Sequence, residues 1–538
     1  MKEGISMIAR SMGALTVALA LTLTAPWLLE KSGLRRVEAH AAGLPQQQAE
    51  IGINLDMVAD WAPAWVFVDV FKHARPWIAQ LPNSMSVWDT GVPIATDRHG
   101  WPLLKPGQAA ATLMLREIGG HYPGGVYRCF FDGQGQVEFG MDAKLIESSP
   151  GQASLLVKPS PAGIFFKINQ SDPADPIRNV RLVMPGFEQS YEQQPFHPLF
   201  LERLGSFQTL RFMNWGRINE SPLSSWKQRP TPRTYTQATT RGVAFEHMTQ
   251  LVNELDANAW INIPHLADDE FVRHTARLWA TQMEPGRKLY VEYSNEVWNS
   301  IFPQALWAEA QGIAQGLAGD SFQARLHFYS KRATEVFQIF KQTFDVLGGS
   351  KPELVCVLGA QYGNPWTSEV LLDFGAAAEF TDALAIAPYF GIDLGSPANL
   401  WTVLAMSTDQ ILDACRAEIE GPLAERISQH AAIAAANGVE LISYEGGQHL
   451  VGFSGMEFVP ALTQKFVDAN RHPAMYDLYT ELVQTWRQRG GQDYVAYSFC
   501  RTFGTYGSWG SLERQDQPTS QAPKYRALLD LAQAFALD

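Results

Sequence analysis

Residues 260–293 read WINIPHLADDEFVRHTARLWATQMEPGRKLYVEY and contain one complete strand–helix–strand unit. Residues 260–264 form a short apolar run that is typical of a buried strand, and residues 289–293 form a second one. Between them, residues 268–283 carry apolar side chains at helical spacing. A strand, a helix and a second strand in this order predict two parallel neighbours in one sheet.

The same rhythm of strand and helix extends outward on both sides of this unit. From Phe196 to the C-terminus, strand-like runs alternate with helical stretches, and one further strand lies near the N-terminus. The eight predicted strands are residues 51–55, 209–213, 260–264, 289–293, 354–358, 383–387, 439–443 and 494–498. Alternation on this scale predicts a parallel sheet, and eight units predict closure into an α/β fold, the (β/α)8 TIM barrel.

A second pattern interrupts the first one between residues 96 and 187. Short strands follow each other there with turns such as Asp132-Gly133 between them, and no helix intervenes. This pattern predicts a small antiparallel β-sandwich inserted between the first strand and its helix. The predicted domains are a leader at 1–41, the start of the barrel at 42–95, the inserted sandwich at 96–187 and the remainder of the barrel at 188–538.

The composition excludes several classes of function. The 538 residues include 42 Lys and Arg against 55 Asp and Glu, a formal charge of −13, without the clustered cations that phosphate contacts require. Nucleic acid is therefore not the expected partner. The four cysteines lie far apart, which excludes a C-x-x-C site and leaves both disulfides and buried free thiols open. The sequence contains no nucleotide-binding loop, zinc-protease or serine-hydrolase motif, and it predicts no metal or cofactor.

The N-terminus predicts export from the cytoplasm. Lys2 and Arg10 precede an uncharged stretch at 11–29, and Ala39-His40-Ala41 is a small-x-small site that signal peptidases cut. A cleaved signal peptide is expected, and the protein would then be secreted, periplasmic or on the cell surface. The alternative is an uncleaved membrane anchor, because the uncharged stretch is about as long as a short membrane span.

Two glutamates follow predicted strands four and seven. Glu296 comes after the strand at 289–293, and Glu445 comes after the strand at 439–443. In TIM barrels functional side chains sit where strands end and loops begin, so these carboxylates are expected to face each other across a cleft. Either Glu alone would be explained as a solvated loop residue. Hydrolysis of a glycosidic bond needs such a pair, one carboxyl protonated and one ionised, and two matched strand ends favour that chemistry.

The two strand ends resemble signatures of clan A glycoside hydrolases, which are retaining enzymes on eight-fold barrels and include cellulases and mannanases. Glu292-Tyr-Ser-Asn295-Glu296 matches the E-x-x-N-E motif at the end of strand four, and Ile442-Ser-Tyr-Glu445-Gly resembles the nucleophile end of strand seven. The resemblance implies that Glu296 is the acid/base and Glu445 the nucleophile. It implies supporting roles for Asn295 at the sugar 2-hydroxyl, for Arg211 and Tyr389 beside the nucleophile, and for His265 at the substrate. Glu292 is expected to be a network residue below the acid/base.

Aromatic residues after the strands and three departures from the clan pattern complete the predicted site. Trp298 and Trp509 both follow strands and are candidate sugar platforms, and one or the other is expected to flank the cleft. The departures, which leave the precise family and substrate open, are Ala387 in the place of a His, Gly446 in the place of an aromatic residue, and the lack of a Trp directly after strand eight, where Phe499 or Trp509 is expected instead. Residues 60–77 also resemble the opening of secreted bacterial proteins labelled cellulose-binding.

The sequence therefore predicts an exported retaining glycosidase that hydrolyses a β-linked polysaccharide or oligosaccharide by double displacement. The alternatives are a polysaccharide-binding barrel without turnover and a transglycosylase that remodels the producer's own glycan. The mechanism requires carboxyl groups roughly 5–5.5 Å apart. It also requires a protonated Glu296 and an ionised Glu445, and Arg211 is expected to supply that difference. The inserted sandwich is expected to wall the cleft rather than to bind carbohydrate itself, and endo or exo cleavage stays open.

Overall fold

The computed structural model describes residues 50–537, so the predicted leader at 1–41 lies outside the described residues. The strands in chain order are β1 Ile51–Asn54, β2 Ile78–Gln80, β3 Ala109–Met114, β4 Gly125–Asp132, β5 Gly135–Met141, β6 Ala143–Ser149, β7 Gln152–Val157, β8 Ile164–Ser171, β9 Arg178–Val183, β10 Thr209–Arg211, β11 Asn258–Ile263, β12 Lys288–Tyr293, β13 Glu353–Gly359, β14 Ala383–Ile386, β15 Tyr389–Phe390, β16 Glu440–Ser443, β17 Gly447–Gln448 and β18 Tyr494–Ala496. The α-helices are α1 Pro198–Leu204, α2 Phe245–Leu255, α3 Asp269–Gln282, α4 Pro303–Ala314, α5 Ser321–Leu347, α6 Trp366–Leu372, α7 Ala377–Phe380, α8 Leu400–Ala405, α9 Thr408–Glu418, α10 Ala424–Ala436, α11 Pro460–Arg471, α12 Met475–Gln488 and α13 Pro523–Leu537.

Eight parallel strands close into a barrel in the order β1, β10, β11, β12, β13, β14, β16 and β18. The first strand joins the last, since Gly52 is in register with Val495 on one side and with Thr209 on the other. A Cβ atom on Gly52 would lie 2.8 Å from the Thr209 carbonyl oxygen, so glycine permits the close approach of these strands. Every predicted barrel strand corresponds to one of the eight, and the (β/α)8 TIM barrel is confirmed.

The helices bury one face against the barrel and expose the other. α5 is typical: Asp320 caps its N-terminus by accepting the Gln323 backbone N–H at 2.9 Å, and Phe337 and Phe340 of its inner face are fully buried.

Among the helices of the described part of the chain, none combines the length and apolar character that a bilayer span requires. All four cysteines are buried and unpaired, Cys129, Cys356, Cys415 and Cys500.

Two four-stranded antiparallel sheets, called here the inserted sheets, lie in the chain between β1 and α1. Their strand orders are β2-β3-β8-β5 and β6-β7-β4-β9. Phe71, Tyr127 and Phe166 belong to the apolar core that they share. β2 pairs with β3 in this region, although residues 42–95 were expected to begin the barrel. A strand of three residues has no alternation long enough to distinguish it in the sequence.

The loop that follows β10 holds the inserted sheets against the barrel. The Tyr235 ring stacks on Trp77 with centroids 5.3 Å apart, and the Tyr235 backbone N–H donates to the His99 carbonyl at 2.9 Å. Lys72 donates from Nζ to the Pro232 carbonyl at 2.8 Å. Because this loop leaves the carboxyl end of a barrel strand, the inserted sheets dock at the end of the barrel where functional side chains gather.

Candidate active site

The carboxyl ends of the barrel strands surround a small cavity. Its lining residues are Met213, Asn219, Asn295, Glu296, Phe302, Tyr389, Glu445, Tyr497 and Trp509. The barrel therefore brings five of the predicted site residues to one place: Asn295 and Glu296 after β12, Tyr389 after β14, Glu445 after β16, and Trp509 in the loop after β18.

Glu296 is buried and held by two donors. Its Oε2 accepts a hydrogen bond from Asn299 Nδ2 at 3.0 Å, and its Oε1 accepts one from the Tyr444 hydroxyl at 3.2 Å. Burial raises the pKa of Glu296, and the two donors offset part of that rise. The backbone is left-handed at Ser294 and Glu296, with φ of 61° and 44°, a conformation that non-glycine residues rarely adopt. Backbone strain of this kind is commonly retained where it orients a functional side chain.

Glu445 also lines the cavity, and one of its carboxylate oxygens has no hydrogen-bond donor. Its Oε2 is 3.5 Å from Arg211 Nη1 and accepts no hydrogen bond within the protein. Burial and the neighbouring Glu296 raise the pKa of Glu445, while Arg211 and a hydrogen bond from Tyr389 oppose the rise. Both carboxyl groups thus have raised pKa values, so the pair tends to hold one proton rather than none.

Arg211 makes its shorter contacts with other residues. Its Nη2 donates to Glu292 Oε2 at 2.8 Å and to Asn295 Oδ1 at 2.9 Å, and its Nη1 donates to Asn54 Oδ1 at 3.0 Å. Arg211 lies within ion-pair reach of Glu445, but Glu292 takes the shorter contact with its charge. Arg211 lowers the pKa of Glu445, which is the expected direction, while burial and the neighbouring Glu296 raise that pKa by more.

Glu292 anchors the floor of the site. Its Oε2 accepts hydrogen bonds from Trp260 Nε1 at 2.9 Å and from Asn262 Nδ2 at 2.7 Å, in addition to the Arg211 contact. Only 1% of Glu292 is exposed. A buried carboxylate with three donors is a supporting residue below the cavity, since no lining atom comes from it.

A second small sheet above the barrel ties two site loops together. β15 pairs in parallel with β17, which places Tyr389 opposite Gly447 and joins the loop after strand six to the loop after strand seven. The loop after strand eight is fixed as well: Lys524 Nζ and Gln448 Nε2 donate to the Ser508 carbonyl at 2.5 and 2.9 Å. These contacts set the position of Trp509 on the cavity wall.

Besides Arg211 and Glu292, which lie beneath the cavity, three further predicted residues do not line it. His265 is buried with its ring edge against Trp307, 5.4 Å between centroids, and Trp298 packs in the main apolar core of the barrel. Phe499, suggested for the strand-eight position, packs edge-on against Phe200 with centroids 5.7 Å apart. The direction in which each side chain leaves its loop determines whether the residue reaches the cavity. The spacing of residues in the sequence does not reveal that direction.

Trp509, the other residue expected for strand eight, lines the cavity, and Tyr497 lies beside it and was missed in the sequence. It directly follows β18 and lines the cavity, so the rule that strand ends carry the site would have found it. Asn219 was also missed. Gln304 Nε2 donates to Asn219 Oδ1 at 2.7 Å and to the Asn295 carbonyl at 3.0 Å, a contact between distant loops that has no local sequence signal.

The reactive groups of the site are the carboxyl groups of Glu296 and Glu445, which can act as a pair. Within residues 50–537, no group of three His, Cys, Asp or Glu side chains is arranged to bind a metal ion. One buried proton shared between two carboxyl groups can serve as acid toward a leaving oxygen, while the ionised partner can attack or stabilise the reacting carbon.

Comparison with known proteins yields structural likenesses only. No protein-family model matches the chain, and no curated protein matches its sequence. Similar solved structures include a GH51 arabinofuranosidase from Xanthomonas axonopodis pv. citri, at 12% identity and a TM-score of 0.38, covering 57% of this chain and 60% of that one. An exo-β-1,4-mannosidase from Opitutaceae bacterium strain TAV5 has 13% identity and a TM-score of 0.35, covering 63% of this chain and 56% of that one.

A third similar structure is an endo-β-1,4-mannanase from Thermotoga petrophila, at 11% identity and a TM-score of 0.33, covering 63% of this chain and 72% of that one. The structural neighbours are thus glycoside hydrolases, and at such identities the likeness concerns the fold alone. The first two matches span less than two thirds of the neighbour's length. The resemblance to proteins labelled cellulose-binding has no counterpart among these matches and stays a prediction.

Proposed function

We propose that the protein is a retaining glycoside hydrolase that acts on a β-linked glycan. The observation that carries the proposal is the pair of buried carboxyl groups, Glu296 and Glu445, which reach one cavity from the ends of strands four and seven. A protein that only bound glycan would have no need to bury two carboxyl groups with raised pKa values at the same point.

The first step forms a covalent sugar ester. A Glu445 carboxylate oxygen attacks the anomeric carbon, the bond from that carbon to the departing oxygen breaks, and the departing oxygen takes the proton of Glu296. In the second step, Glu296 removes a proton from water while the water oxygen attacks the same carbon. The ester bond breaks, and the second step regenerates ionised Glu445 and protonated Glu296.

The reactive form is the one in which the pair holds a single proton on Glu296. Repulsion between the two carboxylates maintains one proton over a broad pH range. Arg211 and Tyr389 support the negative charge on Glu445 that remains when the proton lies on Glu296. Asn295, between Arg211 and the cavity, is placed to hydrogen-bond a sugar hydroxyl next to the reacting carbon.

A glycan panel with paired variants tests this function. The wild-type protein should release reducing sugar from at least one β-glucan, mannan, xylan or arabinan, and Glu445→Gln should lower kcat at least 1,000-fold with the fold retained. Glu296→Gln should lose less activity on aryl glycosides with good leaving groups, because protonation is less needed there. Glu284→Gln, an exposed residue, is the matched control. Near-normal turnover by Glu445→Gln would mean that the nucleophile is misassigned.

We further propose that the protein is exported, on the basis of residues 2–41. Cleavage at the small-x-small site gives a mature chain beginning at Ala42. N-terminal sequencing of the protein from its native host tests this. A membrane-bound form that retains residues before Leu29 would support the anchor instead.

A further inference from the structure

Solvent-exposed aromatic side chains are concentrated at one end of the barrel. Among residues 50–537, the exposed aromatic residues are Trp88, Trp366, Trp401, Phe458 and Tyr506. Trp88 lies after β2, and its ring is tilted against Phe165 of the inserted sheets with centroids 6.1 Å apart. The other four belong to the barrel, with exposures from 41% for Trp366 to 79% for Trp401. Single exposed apolar side chains are common, but aromatic rings gathered at one end of a barrel indicate a binding surface.

The four barrel residues, called here the aromatic rim, each lie in the segment after a different barrel strand. Trp366 follows β13, Trp401 follows β14, Phe458 follows β16 and Tyr506 follows β18. Trp366 and Trp401 are the first and second residues of α6 and α8, and Phe458 lies two residues before α11. The rim residues thus lie between the end of a strand and the helix that follows it, on the face where functional side chains gather.

The aromatic rim lies on the side of the barrel away from the inserted sheets. Its four strands, β13, β14, β16 and β18, are consecutive neighbours in the closed barrel. The inserted sheets are held by the loop after β10, which stands four places from β14 in the ring of eight strands. One half of this face is therefore joined to the inserted sheets, and the other half carries the exposed rings.

The segments that carry the aromatic rim also supply part of the cavity wall. The cavity-lining residues after β14, β16 and β18 include Tyr389, Glu445 and Trp509. Trp509 is bonded directly to a rim residue, because its Nε1 donates to the Tyr506 carbonyl at 2.7 Å. The segments after β14 and β16 are bonded to each other, since the Phe453 backbone N–H donates to the Gly395 carbonyl at 3.2 Å. The aromatic rim is therefore continuous with the catalytic cavity.

The chain around the four rings carries little charge. Within three residues on either side of each ring the sequence contains no Lys, Arg or His, and the only acids are Glu369 and Glu457. A polyanion would require clustered cations, and the protein as a whole carries a formal charge of −13. The face of an aromatic ring is negative and attracts weakly positive hydrogens, such as the C–H groups on the face of a sugar ring. These features favour an uncharged glycan.

We propose that the aromatic rim binds sugar residues of an uncharged glycan chain whose reacting residue lies at Glu296 and Glu445. The rim is continuous with the cavity, so one chain can contact both. This inference rests on the proposed glycosidase function and specifies its substrate as a chain of several sugar residues. The protein should therefore prefer long oligosaccharides to small glycosides of the same sugar.

Binding of oligosaccharides to Glu445→Gln tests the aromatic rim without turnover. Hexaoses of β-1,4-linked glucose, mannose and xylose are titrated by calorimetry, and at least one should bind. Adding Trp401→Ala or Phe458→Ala should weaken that binding about 5-fold each, the effect of losing one stacked ring. Trp88→Ala removes an exposed ring outside the rim and should leave the affinity unchanged. Absence of binding by every hexaose, or equal affinity in the rim variants, would overturn the inference.

The occupant of the aromatic rim is tested separately. The uronate counterpart of a bound glucose or mannose hexaose, with a carboxylate on each ring, should bind about 10-fold more weakly or less, since the rim offers no clustered cations. Light scattering should show the same oligomeric state for the wild type and Trp401→Ala. Equal binding of the uronate, or a dimer that Trp401→Ala dissociates, would contradict an uncharged glycan as the occupant.

Turnover distinguishes failure of this inference from failure of the proposed function. In the otherwise wild-type protein, Trp401→Ala and Phe458→Ala should each lower the ratio of kcat/KM for the hexaose to kcat/KM for an aryl glycoside of the same sugar by about 5-fold. Hydrolysis with an unchanged ratio would refute the aromatic rim and leave the function in place. Hexaose binding that depends on the rim, without hydrolysis of any glycoside, would refute the function alone.

Discussion

At the scale of single residues, the electrostatics of the site depend on the contacts that the Arg211 guanidinium makes with two carboxylates, Glu292 and Glu445. Its guanidinium is fully buried, and its contact with Glu292 is 0.7 Å shorter than its contact with Glu445, 2.8 against 3.5 Å. Burial raises the pKa of both catalytic carboxyls, and the Glu292 charge adds to the rise in each. The site therefore favours the protonated forms more than an isolated Glu–Arg pair would.

Glu292→Gln should shift the pH dependence of activity to lower pH. The substitution removes a negative charge near both carboxyls and releases Arg211 toward Glu445, so both pKa values fall. We expect both limbs of the kcat/KM profile to move down by about 0.5–1 pH unit. Thermal unfolding checks that the variant is folded, and Glu202→Gln on the surface is the control. An unchanged profile in a folded variant would show that Glu292 does not act on the pair.

The wild-type profile itself should be bell-shaped. Below the lower pKa of the pair both carboxyls are protonated and the nucleophile is lost, and above the upper pKa both are ionised and the acid is lost. Because burial raises both values, the alkaline limb should lie well above the ordinary Glu pKa of about 4.3. A profile that reaches its plateau at pH 5 and stays flat to pH 10 would contradict a shared proton.

At the scale of elements, the sequence predicts where the barrel strands end, but it does not predict how the side chains in the following loops are oriented. The ends of β12 and β16 carry Glu296 and Glu445 as the sequence indicates, because apolar runs locate the strands and the fold places their ends together. His265 follows β11 in the same way, yet packs against Trp307. The short pair β15 and β17 has two residues in each strand, which is too few for any periodic signal.

The loop after strand six is held by a further carboxyl group, which is partly buried. Glu418 at the end of α9 accepts the Gly391 backbone N–H at 2.7 Å, two residues beyond Tyr389. Burial raises its pKa from 4.5 to about 7. The folded state thus favours the protonated form, and this contribution to stability is complete below about pH 4.5 and is lost as the pH rises toward 7.

Glu418→Gln should therefore become more stabilising as the pH increases. The amide stays neutral, so the melting temperature of the variant relative to wild type should rise between pH 4.5 and 7 and level off above that. Glu425→Gln, an exposed residue on α10, should show a constant difference over the same range. A constant difference for Glu418→Gln as well would show that the Glu418 carboxyl does not titrate with a raised pKa in the folded protein.

At the scale of the whole molecule, the inserted sheets and the barrel are joined by packed side chains as well as by the chain. Tyr235 from the barrel loop stacks on Trp77 and meets the edge of Trp101 at 5.9 Å. The sequence shows where short strands give way to helices, but it does not show this contact, which joins residues far apart in the chain. In the same way, only the pairing of β2 with β3 shows that β2 belongs to the inserted sheets.

Tyr235→Ala should weaken the whole molecule and not the inserted sheets alone. Loss of a packed aromatic ring costs about 3 kcal/mol, so the melting temperature should fall while calorimetry still shows one transition. Phe458→Ala, which removes a ring that is 67% exposed, should leave the melting temperature nearly unchanged. Two resolved transitions in the wild-type protein would show that the inserted sheets and the barrel unfold independently.

Trapping the covalent intermediate tests most directly whether Glu445 is the nucleophile of a double displacement. The protein is incubated with the 2-deoxy-2-fluoro glycosyl fluoride of the accepted sugar, which forms the glycosyl ester quickly and hydrolyses it slowly, and peptides are then analysed by mass spectrometry. Double displacement predicts one sugar per chain, attached to Glu445, with no label in Glu445→Gln. A label on another residue, or no label together with a product of inverted anomeric configuration, would contradict the assignment of Glu445 as the nucleophile of a retaining enzyme.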